Sequence, residues 1–169
     1  MSMFKVLIKT FSTGIATPAM ILTRINELFN RDVNSDHFVT VFFGIFNHKT
    51  RVLTYSNAGH TPILLLADNQ DTQHLESTSI FVGAIDEMDA RDSVVALEDP
   101  SRLILYTDGV TETMDPEGSQ YDLKNFQACC EKNYHRSPEE LIQEFLGEVD
   151  VHRKGEPFAD DLTLLVIDL

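Results

Sequence analysis

Arg102-Leu103-Ile104-Leu105-Tyr106-Thr107-Asp108-Gly109 is the stretch on which the reading of this chain turns. Leu103 to Tyr106 is an apolar run of strand length without alternation, which predicts a strand buried on both faces. It stops at an acid followed by a glycine, where a chain leaves its sheet and turns tightly. A mirror arrangement stands further along: Asp160-Asp161 immediately precedes the apolar run Leu162-Thr163-Leu164-Leu165-Val166-Ile167. If the two strands lie side by side and antiparallel, the exit of one is beside the entrance of the other. Asp108, Asp160 and Asp161 then meet at one rim of a sheet. Such a rim suits Mg²⁺ or Mn²⁺, hard cations that prefer oxygen, keep several waters and need few carboxylates. Asp at strand ends is also ordinary turn chemistry, so these residues alone leave both readings open. Gly109 would admit close approach by backbone or substrate.

Outward from this pair, the chain alternates helical and strand textures. Met3, Phe4, Leu7, Ile8 and Phe11 share one face of a 3.6-residue repeat, as do Ile21, Leu22, Ile25, Leu28 and Phe29. Thr17-Pro18 supplies an N-cap and a first helical residue for the second helix, expected to run to about Asn30. Phe38 to Phe46 and Arg51 to Ser56 predict a hairpin across Asn47–Thr50, the first strand so apolar that burial on both faces is expected. Pro62 to Leu66 and Ser93 to Leu97 read as further strands, Asp68 to Asp71 as a turn, and Gln73 to Ser79 carries no signal. Leu123 to Asn133 reads as helical. Ser137-Pro138-Glu139-Glu140 is a capping box opening a helix with Leu141, Ile142, Phe145, Leu146 and Val149 on one stripe, followed by a polar loop over 150–159.

Composition narrows the function classes. The chain has 169 residues, the length of one domain, and no interdomain linker or repeat is visible. Its net charge of −14 disfavours the phosphate contacts of nucleic-acid binding and attraction to anionic membranes. The charge serves solubility, or it marks carboxylates that hold a divalent cation against a phosphorylated substrate. Cys129 and Cys130 are adjacent in a helical segment and form no disulfide framework, and the six histidines show no zinc spacing. No apolar run reaches the roughly 18 to 20 residues of a membrane span and the first ten residues lack a secretory pattern, so a soluble, cytoplasmic protein is expected.

Three segments read together resemble, in order and spacing, the metal-dependent serine/threonine protein phosphatases of the type 2C superfamily. They are Thr54-Tyr55-Ser56-Asn57-Ala58-Gly59-His60-Thr61-Pro62, Leu105-Tyr106-Thr107-Asp108-Gly109-Val110-Thr111-Glu112 and Ala159-Asp160-Asp161-Leu162-Thr163-Leu164-Leu165. The nearer match is to the bacterial branch of the sporulation stage II protein E phosphatase and the stress sigma-factor regulators. The Thr17–Asn30 helix and Phe81-Val82-Gly83 are similar to the same branch, so the resemblance covers nearly all of the chain. It implies an α/β (α+β) fold, a β-sandwich flanked by helices. It also implies that Asp108 and Asp160 ligate catalytic Mn²⁺ or Mg²⁺, with Asp161 orienting the loop or a metal-bound water. Ala58-Gly59-His60 is a family marker. A structural role in the loop is expected for His60, since nothing in the spacing makes it a base or a ligand.

One departure stands against these agreements. Members of the superfamily begin with strands bearing a Gly-Asp motif, whose Asp bridges two metals, and a motif like Asp-Val-Ser-Gly-His-Gly before the first long helix. Neither occurs here. The expectation is therefore one phosphatase-like domain over 1–169, N-terminally incomplete, with sheet edges open to self-association into a homo-oligomer. For the complete domain the resemblance implies phosphomonoester hydrolysis, a binuclear centre acidifying a water for in-line attack on phosphorus. It implies a phosphorylated regulatory protein as substrate, of the anti-sigma-factor-antagonist type, in bacterial signal transduction. Without the bridging carboxylate this chain is expected to bind Mn²⁺ weakly and to turn over poorly or not at all. The rival expectation is a non-catalytic, phosphatase-like module that binds a partner protein. The incomplete site favours it and the retention of Asp108, Asp160 and Asp161 opposes it. A Ser-His-Asp hydrolase fits worst, because no serine stands in a Gly-x-Ser-x-Gly elbow.

Overall fold

A computed structural model of the chain describes residues 16–32, 37–68 and 70–169. The helix expected over Met3–Phe11 lies outside the described residues. The chain forms two compact units, one of residues up to 60 with 76–97, the other of 61–75 with 98–169.

In the first unit, α1 (Pro18–Asp32) begins where the sequence places its cap. Met20 N–H donates to Thr17 Oγ1 at 3.4 Å, and Ala19 N–H to Asp92 Oδ1 at 2.8 Å, so two of the orphan amides of the first turn are satisfied. Its apolar stripe, Ile21, Leu22, Ile25 and Phe29, is buried with Ala58, Val82 and Met88. The sheet is antiparallel, in the order β1 (Val41–Asn47), β2 (Val52–Ala58), β5 (Ser93–Ala96). The expected hairpin closes with Asn47 opposite Val52, and Asn47 Oδ1 accepts from the Lys49 and Thr50 N–H groups at 3.0 and 3.3 Å.

Burial of the first strand on both faces does not hold. Val41, Phe42 and Phe43 are half-buried, Gly44 and Ile45 are exposed, and Phe38 precedes the strand at 60% exposure. Among the described residues β1 is the edge of its sheet and pairs with β2 alone, and an unbroken apolar run does not distinguish an edge strand from a central one.

The second unit holds the antiparallel sheet β4 (Gln73–Leu75), β3 (Ile63–Ala67), β6 (Ser101–Tyr106), β7 (Leu164–Asp168), in that order, with α2 (Asp122–Lys132) and α3 (Pro138–Arg153). Leu64, Leu66, Ile104 and Tyr106 of the sheet share a core with Phe126, Cys129 and Cys130 of α2 and Leu141, Phe145 and Val149 of α3. The Phe126 ring lies 4.7 Å from that of Tyr106 and 5.2 Å from that of Phe145. Both arms of the capping box form: Glu140 N–H donates to Ser137 Oγ, and Ser137 N–H to Glu140 Oε2. The expected loop from Asp150 begins later. α3 continues to Arg153, whose guanidinium pairs with Asp150 at 2.6 Å across one turn, and ends at Lys154 (φ +49°) and Gly155 (φ +92°). β4, without a sequence signal, is three residues long and buries Leu75. Cys129 and Cys130 are free and buried. Among the described residues no helix is long and apolar enough to cross a membrane.

Candidate active site

The rim of the second sheet is set by the pairing of β6 with β7. Tyr106 stands opposite Leu164, so the chain leaving β6 and the chain entering β7 emerge side by side. Beyond Tyr106 the backbone tightens into a 3₁₀ turn over Asp108–Val110. The Val110 N–H donates to Thr107 O at 3.0 Å, and those of Thr111 and Glu112 to Asp108 O at 2.9 Å each. Thr113 is buried, and its hydroxyl donates to Gly109 O at 2.8 Å, fixing the turn from the far side.

Asp108, Asp160 and Asp161 are all exposed. Asp108 Oδ1 accepts from Gly109 N–H at 3.0 Å and Asp160 Oδ1 from Asp161 N–H at 2.7 Å, so each of these two carboxylates is oriented by the amide that follows it. An ionised carboxylate has about four lone-pair sites, and one such bond leaves it capacity for a cation. The two loops touch through backbone. A Cβ on Gly109 would lie 2.7 Å from Asp161 O and 3.4 Å from Asp160 O, an approach that only glycine permits. Thr107 Oγ1 adds a hydrogen bond to Asp161 O at 2.9 Å.

The fold therefore brings two acidic loops of the predicted site into contact. Among the described residues no three His, Cys, Asp or Glu side chains form a group that could hold a metal ion, so the rim is not a closed cage of three acids. Asp160 turns its carboxylate back onto the Asp161 amide. The donor chemistry of the Asp108 and Asp160 carboxylates is of the kind that Mg²⁺ or Mn²⁺ takes. Leu146, Phe158, Ala159 and Leu162 line a hollow beside the Asp160–Asp161 pair, with the Arg153 guanidinium 4.9 Å from the Phe158 ring.

Gly59 and His60 belong to the loop that ends β2, in the first unit. Asn57 organises that loop. Its Oδ1 accepts from His60 N–H at 2.9 Å, its Nδ2 donates to His60 O at 3.2 Å, and its own N–H donates to Thr78 Oγ1 at 2.9 Å. Gly59 has φ +69° and lies so near Phe81 that a Cβ would meet that residue's Cβ at 3.1 Å. Asn57 is fully buried, and sequence reasoning gave it no role. The signal was available: an asparagine two residues before a glycine is a former of local side chain–backbone turns. Thr113 was also missed, because a threonine three residues past a turn carries no distinguishing pattern.

The residue pattern of the stage II sporulation protein E family matches the whole chain, residues 1–169. The chain belongs to that family. Similar family relatives include the phosphoserine phosphatase RsbU of Bacillus subtilis, 26% identical over 169 residues, with 99% of this chain and 50% of that protein covered. The phosphoserine phosphatase RsbP of the same organism is 30% identical over 149 residues, covering 86% of this chain and 34% of RsbP. The chain thus spans half or less of the length of these curated relatives. Among solved structures, the SiaA-PP2C domain of Pseudomonas aeruginosa superposes with a TM-score of 0.84 at 18% identity, over 99% of this chain and 66% of that one. The PP2C phosphatase domain of SpoIIE from Bacillus subtilis, with a fragment of its regulatory domain, gives 0.77 at 20% identity, over 98% and 48%. The fold is that of the type 2C phosphatases, as the sequence motifs imply, and its class is α+β.

Proposed function

We propose that this chain is the hydrolytic part of a Mn²⁺- or Mg²⁺-dependent phosphoprotein phosphatase, acting on phosphoserine or phosphothreonine of a regulatory protein of the anti-sigma-factor-antagonist type in bacterial signalling. The observation that carries the reading is the backbone contact at Gly109, which sets the Asp108 turn against the Asp160–Asp161 loop at one sheet rim. Membership of the stage II sporulation protein E family and likeness to two phosphoserine phosphatases support the reaction class. The net charge of −14 supports a protein partner over a nucleic acid.

In this reading Asp108 and Asp160 hold the cation, and Asp161 orients the loop through its backbone. A bound Mn²⁺ or Mg²⁺ supplies an acidified water and offsets charge on the phosphoryl oxygens. The protein's own contribution is placement, keeping the two loops that carry these acids in contact through Thr107, Gly109 and Thr113. With two carboxylates as its principal donors, the chain by itself is expected to bind Mn²⁺ weakly and to turn over slowly. Titration with Mn²⁺ by calorimetry, on wild type and Asp108→Asn, tests this beside hydrolysis of a phosphoserine peptide. Weakened binding and loss of Mn²⁺-dependent turnover in the variant are expected. Mn²⁺ binding indifferent to both Asp108→Asn and Asp160→Asn would remove the metal site. The absence of a three-acid group among the described residues favours a second reading, a non-catalytic module that binds a partner protein. Partner binding at full strength with no hydrolysis at saturating Mn²⁺ would select it.

A further inference from the structure

The last rung of the β6–β7 ladder is completed by a side chain. An antiparallel pair next to Tyr106–Leu164 would join Thr107 to Thr163 through two backbone hydrogen bonds. One is made in the ordinary way, with Thr107 N–H donating to Thr163 O at 3.1 Å. The other has lost its acceptor, because Thr107 O has swung into the 3₁₀ turn and accepts from Val110 N–H at 3.0 Å. The Thr107 hydroxyl takes the vacated place. Its Oγ1 accepts from Thr163 N–H at 3.0 Å and donates to Asp161 O at 2.9 Å.

We infer that Thr107 is a positioning residue of the acid site. By standing in for a backbone carbonyl, its hydroxyl lets the chain turn at Asp108 while remaining fastened to the Asp160–Asp161 loop. Both demands fall on one atom that must donate and accept together, which a hydroxyl does and a methyl does not. Gly109 rests on the same Asp161 carbonyl, so this one oxygen is the point at which both loops are registered. Here the Thr107 carbonyl closes the turn and has left the ladder, and the hydroxyl of the same residue completes the rung in its place. The inference deepens the proposed function and rests on the reading of Asp108 and Asp160 as cation ligands.

The test compares Thr107→Val, Thr107→Ala and Thr107→Ser with Ser101→Ala. The last deletes a hydroxyl at the opposite end of β6, where Ser101 Oγ donates to Glu98 O at 2.5 Å. Two quantities are read, amide hydrogen exchange at Thr163 and Mn²⁺ affinity by calorimetry. Thr107→Val and Thr107→Ala should speed Thr163 exchange about tenfold, the loss of roughly one hydrogen bond, while the amides of β6 remain protected and report an intact sheet. Mn²⁺ affinity should fall about 10- to 100-fold, as when a group orienting a ligand is removed. Thr107→Ser should restore both, and Ser101→Ala should change neither. Wild-type exchange at Thr163 in both hydroxyl-free variants would overturn the inference, as would a serine variant as impaired as valine. A Mn²⁺ affinity that falls equally in Ser101→Ala would reduce Thr107 to a structural residue and so overturn it too. If the wild type itself binds no Mn²⁺, the cation reading of the acids fails, while exchange at Thr163 still decides whether the hydroxyl fastens the loop.

Discussion

Replacing Gly109 by alanine adds one methyl at the contact that holds the two acidic loops together. The new carbon would lie 2.7 Å from Asp161 O and 3.1 Å from Asp161 C, both backbone atoms that no rotamer change can move aside. Comfortable contact begins at about 3.4 Å, so the Asp160–Asp161 loop must retreat by roughly 0.7 Å or the 3₁₀ turn must open. Overpacking of this kind costs about 1–3 kcal/mol, and in a chain of this length each kcal/mol lowers Tm by about 2–4 °C. Displacing acting groups by about 1 Å costs on the order of 100-fold in rate, so Mn²⁺-dependent turnover should fall about 10- to 100-fold. Gly147 gives the matched control. It lies within α3, a Cβ there meets nothing within 4 Å, and Gly147→Ala should stabilise by about 0.5–1 kcal/mol. Thermal unfolding followed by circular dichroism reads both variants, and the phosphoserine peptide assay reads turnover. A Gly109→Ala protein that melts with the wild type and keeps its turnover would refute the claim that this contact sets the site.

Three further outcomes follow from the packing. Ser137→Ala removes the side-chain arm of the α3 capping box, leaving the Glu140 N–H without its acceptor, and should lower stability by about 1 kcal/mol in denaturant unfolding, with Glu140→Gln much milder. Asn26 is buried, donates to Ile85 O and Asp86 O and accepts from Gly83 N–H at 2.8 Å, so Asn26→Ala should cost about 1–3 kcal/mol in the same experiment. Burial, and then the Glu148 carboxylate, push the Cys129 thiol up to about 11 from 9.0. The native state keeps this proton while the unfolded chain loses it, so stability should fall as pH rises from 9 to about 11, and Cys129→Ala should flatten that slope.

What could be read from residue order follows what local chemistry determines. The capping box, the Asn47 hairpin turn and the antiparallel meeting of β6 with β7 were legible, because each is written in neighbouring residues or in a long apolar run that stops at an acid. The exposure of β1 was not, since whether an apolar strand lies at an edge depends on which strands join it, and these come from distant segments. β4 escaped because three residues are too short for any period to show. The end of α3 was misplaced because Asp150, His152 and Arg153 are polar, yet the last turn carries them within the helix, Arg153 pairing with Asp150 and His152 bonding to Ser119 O. At the acid site, residue types and neighbourhood were legible. The close approach of backbone at Gly109 was also expected, but the hydroxyl contacts of Thr107 and Thr113 were not, because they depend on where a carbonyl points after a turn.

Asp108 and Asp160 are 52 residues apart in the chain, and the loops that carry them meet only when β7 adds to β6. At synthesis rates of about 5–20 residues per second, the Asp108 turn emerges roughly 3–10 s before its counterpart. During that interval β3 and β6 can already pair while the rim remains open. A nascent or stalled polypeptide therefore presents the Asp108 turn without the loop that rests on Gly109, and the rim takes its final form in one step with the arrival of the last strand.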